Sequence, residues 1–212
     1  MKNAMIFGDS YSTFKGFVPS NYAIYYGEGE APESGVTHVS HTWWYQVCEE
    51  GGLQLVLNNS FSGSTIGYTG YGNTDCSHST SFIYRLKQLK EKGFFEENQI
   101  DTVFVFGGTN DSWSNAPLGE EKYGDWEEEE LFSVLPAIGY FLNLLKETVP
   151  KATIYCLINT EIKREITDCM KQACARLNIV PVTFESIDKK DGHPTREGMK
   201  DIKESVLKAM NA

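Results

Sequence analysis

Residues 102–111 read Thr102-Val103-Phe104-Val105-Phe106-Gly107-Gly108-Thr109-Asn110-Asp111. The apolar stretch is continuous rather than alternating, as expected of a strand covered on both faces in a parallel sheet. Four other runs share this character: Ala4 to Phe7, Leu53 to Leu57, Thr153 to Ile158 and Ile179 to Val182. Between them, apolar residues recur at helical spacing. One segment carries Phe82, Leu86 and Leu89, and the next Leu131, Leu135, Ile138, Leu142 and Leu145. A third carries Ile162, Ile166, Met170, Ala173 and Leu177, and the last starts near Thr195 and carries Met199, Ile202, Val206 and Met210. Pro136 is expected to kink or delay the second of these helices.

Strand alternating with helix predicts a three-layer α/β/α sandwich of about five parallel strands, with right-handed crossovers placing helices on both faces. The length fits one domain spanning residues 1–212. Ligands of such sheets bind beyond the carboxyl ends of the strands. The long irregular stretches fall there, at residues 11–40, 60–78 and 107–127. The first is long for a structureless loop and is expected to form a lid or substrate wall. Trp43 and Trp44 are read as opening a helix, with at least one ring in the core. Glu127 to Glu130 are expected in a first helical turn, where acidic side chains complement the macrodipole.

Hydrophobic residues make up 41% of the chain and charged residues 23%, ordinary globular usage. A net charge of −10 argues against nucleic acid and against stable association with anionic membranes. The opening MKNAMIFGDS has no basic n-region, apolar h-region or cleavage site, which predicts a cytoplasmic protein. Five cysteines form no CxxC pair and are read as reduced, mostly buried thiols. Cys76 and His78 lack a second ligand pair at zinc spacing, so no metal and no cofactor is expected.

Four blocks stand at the ends of predicted elements. Gly8-Asp9-Ser10 follows the first strand, Asn58-Asn59-Ser60-Phe61-Ser62-Gly63-Ser64-Thr65 the second and Gly107-Gly108-Thr109-Asn110-Asp111 the third. Lys190-Asp191-Gly192-His193-Pro194-Thr195 precedes the last helix. Each has an ordinary reading: Asp9 or Ser10 as a helix cap, the glycine blocks as turns, His193 as a surface residue. As chemistry, Ser10 is a candidate nucleophile, His193 a candidate base and the glycine blocks candidate oxyanion donors.

In this order, the blocks resemble those of the SGNH (GDSL-type) hydrolases, whose fold is flavodoxin-like, and the resemblance spans nearly the whole chain. It implies a serine esterase, with Ser10 as nucleophile and His193 as general base and then acid. The backbone N–H groups of Ser10 and Gly63 and the amide of Asn110 would form the oxyanion hole. One departure stands out. The family usually places an acid three residues before the histidine, and here that residue is Lys190. Asp191 is expected to take over, since residues two apart in an extended segment point to one side. Asp188 is the fallback, and a Ser-His dyad oriented by a backbone carbonyl is the third possibility.

The resemblance also implies a small-molecule ester substrate, short-chain or an acetylated carbohydrate. A lysophospholipase or thioesterase for longer acyl chains, and a noncatalytic carbohydrate or lipid binder, are the alternatives. A flavin or nucleotide binder is disfavoured because no GxGxxG or GxxxxGK[ST] follows any strand. Aromatic residues crowd the crevice loops, Tyr11, Tyr25, Tyr71 and Trp113 among them, and most of the set are expected to pin the loops to the sheet. The rest would stack on sugar rings or line an acyl pocket. His38, His41 and His78 are read as loop residues.

Overall fold

The computed structural model describes residues 1–212. The chain runs β1 (Lys2–Gly8), α1 (Trp43–Gly51), β2 (Leu53–Ser60), α2 (Phe82–Glu91), α3 (Phe94–Glu97), β3 (Thr102–Gly107) and α4 (Thr109–Trp113). It continues through α5 (Val134–Thr148), β4 (Thr153–Ile158), α6 (Arg164–Leu177), β5 (Val180–Thr183), β6 (Lys189–Lys190), β7 (His193–Pro194) and α7 (Arg196–Met210). Strands β1 to β5 form one sheet of order β2-β1-β3-β4-β5, and every pairing in it is parallel. Helices cover both faces, giving the three-layer α/β/α sandwich that the alternation predicts.

Period-two geometry divides the strand residues between two cores. Met5, Phe7, Val103, Val105, Ile154 and Cys156 pack with α2, α5 and α6. Ala4, Ile6, Phe104, Phe106, Tyr155 and Leu157 point the other way, against α1 and α7. Both sets are buried, so the strands read as unbroken apolar runs. Pro181 is tolerated because β5 is an edge strand and its missing N–H breaks no ladder on the outer side. Both Trp43 and Trp44 are buried in the second core.

Two helix boundaries are corrected. The helix expected to include Leu131 begins only at Val134, and Glu128–Phe132 forms a separate 3-10 turn. There, Glu130 accepts the Glu127 N–H at 2.7 Å and pairs with Lys122 at 2.6 Å, so the acidic run caps its own turn rather than the long helix. Pro136 sits third in α5, where a helix has no intrahelical use for an N–H, so of the two outcomes expected of it the delayed start is the one observed. The third helix starts at Arg164, leaving Ile162 before it. No helix is long and apolar enough to cross a membrane.

Candidate active site

Strands β1, β2 and β3 end at one level, with Gly8 in register with both Ser60 and Phe106. At Gly8 a Cβ would lie 2.5 Å from Ser60 Oγ and 2.6 Å from Ser12 Cβ, so only glycine lets the chains meet there. Asp9 then caps a 3-10 turn over Ser10–Ser12, its Oδ1 accepting the Tyr11 N–H at 3.0 Å. The capping role and the nucleophile position thus coexist: Asp9 holds the turn, and the turn directs the buried Ser10 toward His193.

Ser10 Oγ lies 3.0 Å from His193 Nε2. On the far side of the ring, Nδ1 is 3.2 Å from the backbone carbonyl of Asp191. A carbonyl can only accept, so Nδ1 carries the proton and Nε2 is left free to accept from the Ser10 hydroxyl. The expectation for the Asp191 carboxylate is corrected here. Asp191 and Gly192 have φ of 50° and 78°, the two left-handed positions of a tight hairpin turn between β6 and β7. This conformation, rather than an extended one, aims the Asp191 carbonyl at the ring and leaves the side chain exposed. Asp188 does not reach His193 either, because its carboxylate accepts the hydroxyl of Thr195, the N-cap of α7.

Gly63 has φ of 82°, and its N–H finds no acceptor within the protein. Asn110, on α4 and 3% exposed, donates through Nδ2 to the Ser64 carbonyl at 3.0 Å and accepts the Tyr71 hydroxyl at 2.8 Å. One amide hydrogen of Asn110 is thereby spent and the second is available. Asp111 accepts the N–H groups of Ile66 and Gly67, fastening the 60–78 loop to α4. Cys76 and His78 converge on nothing: the thiol faces the Thr74 carbonyl and the imidazole packs against Tyr84. His38 and His41 sit together in the loop before α1. All five cysteines are buried free thiols.

A model of the GDSL-like lipase/acylhydrolase family matches residues 2–210. A protein from Bacteroides uniformis described as a GDSL-like lipase is 42% identical, with a TM-score of 0.91 over 99% of this chain and 95% of that one. The chain belongs to the GDSL-like lipase/acylhydrolase family. A second GDSL-like lipase, from Bacteroides ovatus, is 38% identical to this hydrolase, with a TM-score of 0.91 over 100% of this chain and 98% of that one. An acetyl xylan esterase from the rumen bacterium Butyrivibrio proteoclasticus shares the fold at 15% identity and a TM-score of 0.61, covering 99% of this chain and 63% of its own. No curated protein sequence matches. Family membership makes the protein a hydrolytic enzyme of ester substrates.

One residue of the GDSL hydrolase's site escaped the sequence reading. Arg85, in the first turn of α2, is completely buried with its guanidinium 4.5 Å over the Phe82 ring. It donates to Asn59 Oδ1 at 2.6 Å, to the Asn59 carbonyl, to Gly8 O at 3.2 Å, to Ser64 Oγ at 3.0 Å and to Thr80 O at 2.9 Å. The strand end before Ser10 and the loop beside Gly63 are thus tied to one cation. Burial pulls its pKa down to about 10, which leaves it charged at neutral pH. The only hint in the sequence is an arginine set between the apolar helical positions Phe82 and Leu86.

Burial also governs the other charges. Asp9 is pushed up to about 7 and Asp111 to about 6, chiefly by desolvation, with the backbone N–H groups they accept pulling the other way. His193 is lowered from the usual imidazole value, first by burial and then by Lys189, against the opposing pull of Asp191. It is therefore neutral at pH 7, the form that can accept a proton.

Proposed function

We propose that this hydrolase cleaves carboxylic esters through an acyl-enzyme on Ser10, with His193 as the base of a Ser-His dyad. The observation that carries the reading is the 3.0 Å approach of Ser10 Oγ to a ring nitrogen whose partner nitrogen is protonated toward a carbonyl. A serine hydroxyl is a weak nucleophile until a base within hydrogen-bond reach takes its proton.

In the reaction, Oγ attacks the acyl carbon as its proton passes to Nε2, and the carbonyl π electrons move onto oxygen. The unspent N–H groups of Gly63 and Asn110, together with that of Ser10, receive the charge; one such donor is typically worth about a hundredfold to a thousandfold in rate. Collapse breaks the bond to the alcohol oxygen, which takes the proton from Nε2. Water then repeats the sequence on the acyl-enzyme and frees Ser10.

Two exposed aromatic rings support a short-chain or acetylated carbohydrate ester as the substrate. Tyr71 is 45% exposed with its hydroxyl on Asn110, and Trp113 is 41% exposed with its ring 5.7 Å from His193. Aromatic rings left in water beside reacting groups offer stacking faces to a sugar. The test is hydrolysis of p-nitrophenyl acetate, butyrate and octanoate by wild type, Ser10→Ala and His193→Ala. Turnover of the short esters that disappears in both variants supports the reading. An inert wild type, or a Ser10→Ala protein that matches it, rejects it.

A further inference from the structure

Three tyrosines contact the His193 turn. The Tyr11 hydroxyl donates to the Gly192 carbonyl, the Tyr26 hydroxyl donates to the Pro194 carbonyl at 2.7 Å, and Tyr25 lies flat against the imidazole itself. The ring centroids are 3.6 Å apart and the planes 6° from parallel. Tyr25 is also tied to the nucleophile's backbone: its N–H donates to Thr13 Oγ1 at 2.9 Å, and that hydroxyl donates to Ser10 O at 3.0 Å. Trp113 meets the imidazole edge-on, with the planes 70° apart.

We propose that Tyr25 is a positioning residue for His193, its π face doing much of what an acidic partner does elsewhere. The inference rests on the Ser10-His193 reading above. A triad carboxylate has two tasks, to hold the ring's tautomer and orientation and to stabilise the imidazolium that forms as the nucleophile loses its proton. The Asp191 carbonyl fixes the tautomer but is only a dipole. A stacked ring restricts rotation of the imidazole, and an aromatic face within about 6 Å of a cation attracts it. The charged or titratable groups facing the imidazole are Asp191, which favours its charged form, and Lys189, which opposes it. The hydroxyls of Tyr11 and Tyr25 are raised above the usual phenol value by burial and stay neutral.

The test compares Tyr25→Phe with Tyr25→Leu in the intact enzyme, reading p-nitrophenyl acetate kinetics across pH and the NMR titration of His193. Phenylalanine keeps the face and is expected to retain most of kcat. Leucine removes it, and is expected to lower kcat about tenfold with KM little changed, and to move both the acid limb and the His193 titration to lower pH. Circular dichroism and the thermal midpoint establish that both variants fold. A leucine variant with wild-type kcat and acid limb overturns the proposal. So does a loss that appears only in KM, or one shared equally by phenylalanine. Full activity in His193→Ala would instead bring down the dyad reading on which the proposal stands.

Discussion

Asp191 has the right chemistry in the wrong backbone conformation for an acidic partner. With φ of 50° it serves as the first residue of a two-residue hairpin turn, and its carbonyl takes the place expected of its carboxylate. Asp191→Asn keeps that carbonyl and is expected to hold kcat within about threefold of wild type, where loss of a true triad carboxylate costs about ten-thousandfold. Ester hydrolysis at pH 7 checks it. The pH profile belongs to the same scale. His193 must be neutral to act, and burial lowers its pKa below the usual imidazole value. Activity should therefore rise with pH and reach half its plateau below the ordinary histidine pKa of about 6.5, as read from the acid limb of kcat/KM.

At the scale of elements, α2 contributes more than an apolar face. Its Arg85 satisfies acceptors at the ends of β1 and β2 and in the loop beside Gly63, and the guanidinium needs no carboxylate because five donors are used. Arg85→Met fits the volume but leaves those oxygens buried without donors, each costing about 1 to 3 kcal/mol. A loss of about 3 kcal/mol or more is expected, measured as a lower urea midpoint. Activity should fall with it, because Ser64, Gly8 and the chain leading to Ser10 lose their common anchor.

At the scale of the molecule, the sheet buries two carboxylates and one cation beneath the loops that carry the site. Asp9 is raised from about 4 unfolded to about 7 folded, chiefly by burial. The sign follows from linkage: the native state holds this proton more tightly, so the contribution is complete below the unfolded pKa and is lost as pH rises through about 7. Asp9→Asn preserves the oxygen that accepts the Tyr11 N–H and removes the titration. Its urea stability should decline less than that of wild type between pH 5 and pH 8. An identical slope in the two proteins would contradict the assignment.

The sequence by itself determined the layering and the position of the blocks. Strands buried on both faces must be apolar throughout, and helices covering them must repeat every three or four residues, so both patterns are local and legible. Glycine and polar residues at strand ends likewise marked where Ser10, Gly63 and Asn110 would lie, and the block before the last helix marked His193. The tertiary structure alone decided which oxygen of residue 191 meets the imidazole, which helix supplies a buried cation and which ring stacks on His193. Asp191-Gly192 is a hairpin signal, but the flanking Lys189-Lys190 and His193-Pro194 lack the alternating apolar pattern that would have announced strands. Arg85 and Tyr25 act across 77 and 168 residues of chain, on Gly8 and on His193. Contacts at such separations arise from packing of the finished sheet, and no local periodicity encodes them.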